Sequence, residues 1–178
     1  MVEVINGVEM IDAVREVLRE YEREIGVNLC FQGFERELAE LPGAYAPPRG
    51  ALLVAIDGGE VAGCVALRPV DRATCEMKRL FVRPAWRGTG LGRRLALEIM
   101  DSARRAGYRR MRLDTLPTMT AAAGMYESLG FVDIGAYYES PIAGTRFMGV
   151  ELGCERLNSR AMGPRTPARV TPERQPRP

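Results

Sequence analysis

The stretch RLFVRPAWRGTGLGRRLALEI, residues 79–99, constrains the chain more than any other part of it. An apolar run, Leu80 to Val82, meets Pro84. Glycines then stand at 88, 90 and 92, just where helical periodicity begins with Leu91, Leu95 and Ile99. Glycine weakens helices and strands alike, so a cluster at such a junction has to serve the backbone. A strand, a glycine loop and a helix N-terminus together make an anion site: N–H groups point outward, the helix dipole adds partial positive charge, and no side chain obstructs approach. The spacing narrows the anion. A G-x-G-x-x-G dinucleotide loop fails in both registers, because Arg93 or Leu95 stands where the third glycine belongs, and the G-K-[ST] of a triphosphate loop is absent. What remains is Arg87-Gly88-Thr89-Gly90-Leu91-Gly92, an R-x-x-G-x-G pattern.

Periodicity places the other elements. VEVI (2–5) reads as a short strand, and Ile11, Val14, Leu18, Tyr21 and Ile25 recur at helical spacing over 7–25. FERELAEL (34–41) repeats the pattern and ends at Pro42-Gly43. ALLVAI and VAGCVALR flank DGGE and predict a hairpin. ATCEMKRLFVRP is a strand closed by Pro84, a helix runs from the glycines to about Ala106, and YRRMRLDT alternates as a half-buried strand. TMTAAAGMYESLG is a helix capped by Gly130, while FVDIGAYY and TRFMGVEL are strands joined through ESPIAG. The predicted order is β-α-α-β-β-β-α-β-α-β-β, a mixed α/β sheet.

Composition removes whole classes of chemistry. With 178 residues, 46% hydrophobic and 27% charged, the chain suits one globular domain with a sizeable core. It has no histidine, which excludes Ser-His-Asp and Cys-His nucleophile systems and His-ligated metals. Cys30, Cys64, Cys75 and Cys154 show no C-x-x-C spacing, and three of them sit in apolar surroundings, so buried thiols rather than a disulfide framework or a metal site are expected. No apolar run reaches membrane-spanning length and the first residues lack signal-peptide character, which sets a cytoplasmic expectation with no membrane partner. From Glu155 the chain carries six arginines against two glutamates, so the body before it has a net −2 out of the total +2. That balance does not favour a nucleic-acid partner for the body. From Leu157 arginine and five prolines dominate, so the expected organisation is a folded domain over 1–156 and a disordered tail over 157–178.

The R-x-x-G-x-G pattern after an apolar strand resembles motif A of the GNAT superfamily of N-acetyltransferases. The resemblance runs in order over roughly residues 1–153: two early helices, the hairpin, EMKRLFVRP, the glycine loop, and MYESLGF as a second signature. It implies a GNAT-type fold with a splayed central sheet, and acetyl-CoA as co-substrate with its pyrophosphate on the loop. Arg87, Gly88, Thr89, Gly90, Leu91, Gly92 and Arg93 are thereby assigned to cofactor binding. It also implies that the strand before the loop parts from its neighbour, leaving backbone groups of Leu80, Phe81 and Val82 for pantetheine. Unpaired buried groups cost about 1–3 kcal/mol each, so such an edge demands a partner. Read without the family, those three residues are core strand positions.

Acetyl transfer to an amine needs a base, oxyanion donors and an acid for the departing thiolate. Tyr126 matches the family pattern A-x-x-x-Y-x-x-x-G-F together with Ala122, Gly130 and Phe131, which makes it the candidate acid. Spacing alone favours a tyrosine packed on an amphipathic helix beside Met125 and Leu129; the resemblance is what makes it the acid. Glu76 stands eleven residues before Arg87, where several family members carry a basic glutamate, so it is the candidate base acting through water; the alternative is a surface carboxylate paired with Lys78 or Arg79. The asparagine that many members place early in the last helix is replaced by Met119 and Thr120, leaving Thr115 or Thr118 as polar substitutes. The acceptor is an amine, on a small molecule or a protein. Glu35, Glu37, Glu40 and Glu139 could draw a cationic one, or simply be solvated charge, and Tyr137 and Tyr138 could line the cleft. A homodimer is compatible with this reading. The rival functions are a non-catalytic acyl-CoA sensor and a nucleic-acid role for the arginine tail.

Overall fold

The computed structural model of the chain describes residues 1–153; the arginine- and proline-rich segment and the domain limit at 156 lie outside the described residues. Seven strands form one sheet: β1 (Glu3–Asn6), β2 (Ala51–Asp57), β3 (Glu60–Pro69), β4 (Thr74–Val82), β5 (Arg110–Thr115), β6 (Val132–Asp133) and β7 (Arg146–Glu151). Their spatial order is β1-β2-β3-β4-β5-β7-β6, and every pairing is antiparallel except β4 with β5. Helices α1 (Ile11–Ile25) and α2 (Phe34–Glu40) cover one face, and α3 (Leu91–Arg105) and α4 (Thr120–Ser128) the other. The mixed α/β order read from the sequence is the order found.

Each face has its own core. Val14, Val17 and Leu18 of α1 and Phe34 and Leu38 of α2 pack on Leu52, Val54, Cys64 and Ala66. On the other face, Leu91, Leu95 and Ile99, spaced by one helical turn, pack with Met100 and Ala103 on Val65, Leu67, Met77, Met111 and Leu113. Strand alternation sorts the residues between the two layers. Cys64 and Cys75 are buried as expected, Cys30 is exposed, and Cys154 lies outside the described residues. Among the described residues no helix is long and apolar enough to cross a membrane.

Two irregularities of β4 bear on the site. Cys64 faces Phe81, but Ala66 faces Lys78, so β4 carries one more residue than β3 across this span. That is a β-bulge, and Arg79 within it has φ +59, a left-handed conformation that non-glycine residues seldom adopt. The bulge breaks alternation, so Lys78 and Arg79 both turn toward the α1/α2 side. The second irregularity is that β4 and β5 pair only over Thr74–Glu76 and Arg110–Arg112. Beyond Glu76, β4 has no partner strand on that side among the described residues, and the sheet opens.

The strand expected over 131–138 needs correction. Only Val132 and Asp133 pair with β7; after the Ile134 N–H bonds to the Phe147 carbonyl, the chain leaves the sheet until Arg146. Side-chain bonds replace the ladder there, with the hydroxyls of Tyr137 and Tyr138 drawn onto buried carboxylates of β4 and β5.

Candidate active site

The glycine loop lies between β4 and α3, and its three glycines have different reasons to be there. Gly88 has φ +76, and Gly90, the residue before the helix, has φ +85, conformations that strain any residue with a Cβ. Gly92 has ordinary helical backbone. A Cβ built on it would touch only Val82 and Met125 side chains at 3.7 and 3.8 Å, normal contact distances. Alanine would be favoured there by about 1 kcal/mol on helix propensity alone. No contact among the described residues requires a glycine at 92.

Arg87 donates from Nε to the Val82 carbonyl at 2.8 Å and pairs with Glu24 at 2.6 Å. Arg83 pairs with Glu20, one helical turn earlier on α1, at 2.6 Å. These two pairs tie α1 across the end of β4. Thr89 Oγ1 donates to the Trp86 carbonyl, and Arg93 to Ser128 Oγ. The polar side chains of the loop are thus bonded within the protein.

Where β4 and β5 part, a cavity opens, lined by Leu80 and Arg79 of β4, Asp114 and Thr115 of β5, Tyr21 of α1 and Tyr126 of α4. Leu80 and Val82 are half-buried and Phe81 is buried, with Phe81 packed edge-on to Tyr21. Tyr126 is held by the Phe131 ring 5.7 Å away and by the turn after α4, in which the Leu129 and Phe131 N–H groups bond to its carbonyl. Burial, then the nearby Tyr21 and Asp114, push the Tyr126 hydroxyl above the usual phenol range, so it is protonated at neutral pH. Thr115 Oγ1 is buried on this cavity and lacks any hydrogen-bond partner among the described residues. An orphaned hydroxyl beside an unpaired strand edge suits a ligand bearing amides, such as a pantetheine arm.

The α1/α2 side of the opening carries a chain of buried charges. Glu76, only 1% exposed, accepts from Arg68 at 2.8 Å and from the Tyr137 hydroxyl at 2.9 Å, with Lys78 Nζ 3.9 Å away. The sequence alternative of a surface carboxylate does not hold: Glu76 is interior. Lys78 pairs instead with Asp114 at 2.9 Å, and Asp114 also accepts from Tyr138 at 3.0 Å. Burial works to raise the Asp114 carboxyl, but the charge and hydrogen bond of Lys78, the Tyr138 hydrogen bond and the Arg79 charge together hold it below the usual range. Burial and then Asp114 push the Tyr138 hydroxyl up to about 12. Arg79 is clamped by Glu37 through two bonds, 2.8 and 2.7 Å, and donates to Gln32 at 3.0 Å. Glu35 and Glu40 pair with Arg19 and Arg36, and Glu139 is exposed.

Tyr126 and Leu80 thus meet in one cavity, with the glycine loop at the end of β4. Glu76 lies behind Tyr137. Sequence reasoning passed over Asp114, Arg68, Arg112 and Gln32. For Asp114 a signal existed, since it is the acidic residue on the polar side of an alternating strand beside the family's cleft.

Residues 11–131 match the family described as Acetyltransferase (GNAT) family. An uncharacterised N-acetyltransferase of Schizosaccharomyces pombe is 42% identical over 144 residues, covering 80% of this chain and 88% of its own. Among solved structures, a GNAT-family acetyltransferase from Staphylococcus aureus superposes with a TM-score of 0.72 at 19% identity, over 86% of this chain and all of that one. A Salmonella typhimurium acetyltransferase determined with its cofactor acetyl-CoA gives 0.61 at 22% identity, over 86% and 95%. Those two likenesses speak for the fold. With the family match spanning both the glycine loop and the Tyr126 helix, the chain belongs to the acetyltransferase (GNAT) family.

Proposed function

We propose that this protein moves the acetyl group of acetyl-CoA directly to the nitrogen of an amine acceptor. The observation that carries this reading is the opened β4–β5 edge, with a glycine loop at one end and the buried Tyr126 hydroxyl on its wall. Acetyl-CoA supplies an acyl group already activated as a thioester, so no covalent enzyme intermediate is called for. The amides from Gly88 to Gly92, at the positive end of α3, take the pyrophosphate, with Leu91 among them and Arg87 and Arg93 bracing the loop. The edge of β4 over Leu80, Phe81 and Val82, together with Thr115, takes the amide arm.

Two protons have to move. An alkylammonium is mostly protonated at neutral pH and must lose one before its nitrogen can attack. Glu76 receives that proton through the Tyr137 hydroxyl, which already donates to Glu76 Oε1 at 2.9 Å; the relay that the sequence suggested as water has a phenol in place. As the C–N bond forms and the C–S bond breaks, Tyr126 donates to the departing thiolate; the second proton, shed by the nitrogen as the amide forms, reprotonates Tyr126 through solvent, and Glu76 returns the first to solvent.

The test combines acetyl-CoA binding, read as a thermal shift, with turnover of amine acceptors read as CoA release, in wild type and Tyr126→Phe. The expected result is retained binding and a loss in kcat on the order of 10²-fold. Equal turnover by the variant would reduce Tyr126 to packing. Binding without turnover of any acceptor would leave an acyl-CoA-binding module instead.

A further inference from the structure

Beside the thioester cavity lies a second one of about 290 Å³, sharing Gln32, Lys78 and Arg79 with it. Among the described residues its charged lining is entirely cationic: Arg68, Lys78, Arg79 and Arg112, joined by the phenols of Tyr137 and Tyr138. Three of the four cations have their own carboxylate, none of which lines the cavity. Arg68 holds Glu76, Lys78 holds Asp114, and Arg79 holds Glu37. Arg112 is the fourth. Its nearest carboxylate oxygen, Glu76 Oε2, is 4.0 Å away, beyond hydrogen-bond reach, and its buried Nε has no partner among the described residues. The guanidinium rests on the Tyr137 ring at 3.7 Å from the centroid. One positive charge is in excess, its planar donor fork is preset by stacking, and one buried donor is unsatisfied. A bridging water could take the donor but not the charge. An oxyanion answers both, and a carboxylate or phosphate matches the fork.

The early glutamates do not make this an acidic cleft, because Glu35, Glu37 and Glu40 are already paired with arginines. A simple polyamine entering a cationic cavity would be repelled. Resting on the transferase reading, we propose that the acceptor is a small primary amine that also carries an oxyanion. Arg112, with Arg68 beside it, holds that oxyanion and so determines specificity. The same positive potential disfavours the ammonium form of the acceptor and helps release its proton toward Tyr137.

Matched acceptors test this: phenylalanine against phenethylamine, lysine against cadaverine, and phosphoethanolamine against ethanolamine. Turnover is read as CoA release. Binding of the N-acetylated products to CoA-loaded protein is read in parallel by calorimetry, so that slow chemistry does not hide recognition. The member of a pair that carries the oxyanion is expected to have kcat/KM roughly tenfold to a hundredfold higher, the range of one charge-assisted hydrogen bond. The pair that shows the preference tells carboxylate from phosphate. Arg112→Gln should collapse that preference, mainly through KM, and Arg112→Lys should restore part of it, with the acetyl-CoA thermal shift unchanged in both. Equal or better use of the amines that lack an oxyanion, or no binding of any oxyanion-bearing product, would overturn the proposal. Absence of the acetyl-CoA shift in the wild type would overturn the transferase reading, and this inference with it.

Discussion

Removing the carboxylate that clamps the β4 bulge should be among the most damaging single changes available to this protein. The Arg79 side chain is 2% exposed and that of Glu37 15%, so Glu37→Ala leaves a guanidinium almost wholly buried without its anion. Breaking one partner out of a buried pair costs about 3–5 kcal/mol. Gln32 still accepts one bond from Arg79, which argues for the lower half of that range. For a chain of this length the midpoint of thermal unfolding should then fall by something near 10 °C. Arg79→Met in the same background should recover much of the loss, because the stranded charge is gone. The pH dependence supplies a second check. Burial works to raise the Glu37 carboxyl, but the hydrogen bonds and charge of Arg79 overcome it and hold it below the usual value. A depressed folded pKa means that the pair's contribution is complete above the unfolded value, near 4.3, and is lost as pH falls through the folded one. The gap between wild type and Glu37→Ala should thus be full at neutral pH and shrink below about pH 4. Urea unfolding followed by the fluorescence of Trp86, the sole tryptophan, measures both. A loss under about 1 kcal/mol at neutral pH, or a double variant as unstable as the sum of the singles, would refute the reasoning.

Two further outcomes concern the site. Gly92→Ala should leave the ligand-free fold intact, or raise its stability by up to about 1 kcal/mol, while weakening acetyl-CoA binding measured by thermal shift; Gly92→Val should abolish that binding. Unimpaired binding in both would show that nothing approaches the first turn of α3. Glu76→Gln keeps the shape of the buried cluster but cannot take a proton, so the rate deficit should grow toward lower pH, where more of the amine is protonated. An unaltered pH–rate profile would remove Glu76 as base and leave it a partner for Arg68.

Local rules made the element order legible. Leu91, Leu95 and Ile99 at one-turn spacing, the DGGE turn between two apolar runs, and Pro84 closing β4 each act within a few residues, where periodicity and turn chemistry decide conformation. The glycine loop was legible for the same reason, and Tyr126 because its spacing to Gly130 and Phe131 lies within a single helix and its cap. The Tyr137–Tyr138 segment shows where local reading stops. Its aromatic, alternating composition favours a strand, yet hydroxyl bonds to Glu76 and Asp114, residues 61 and 24 positions away, pull it out of the sheet. The bulge is a tertiary decision as well. Lys78 and Arg79 read as successive residues on opposite faces, but Asp114 from β5 and Glu37 from α2 draw both to one side, and Arg79 takes a left-handed backbone to comply. Which carboxylate neutralises which cation depends on distances between strands and helices that no local pattern encodes. By itself the sequence determined the order of elements, the glycine loop before α3 and the place of Tyr126 on α4; only the packing of α2, β3, β4 and β5 decided that three cations are neutralised and that Arg112 is left facing the cleft.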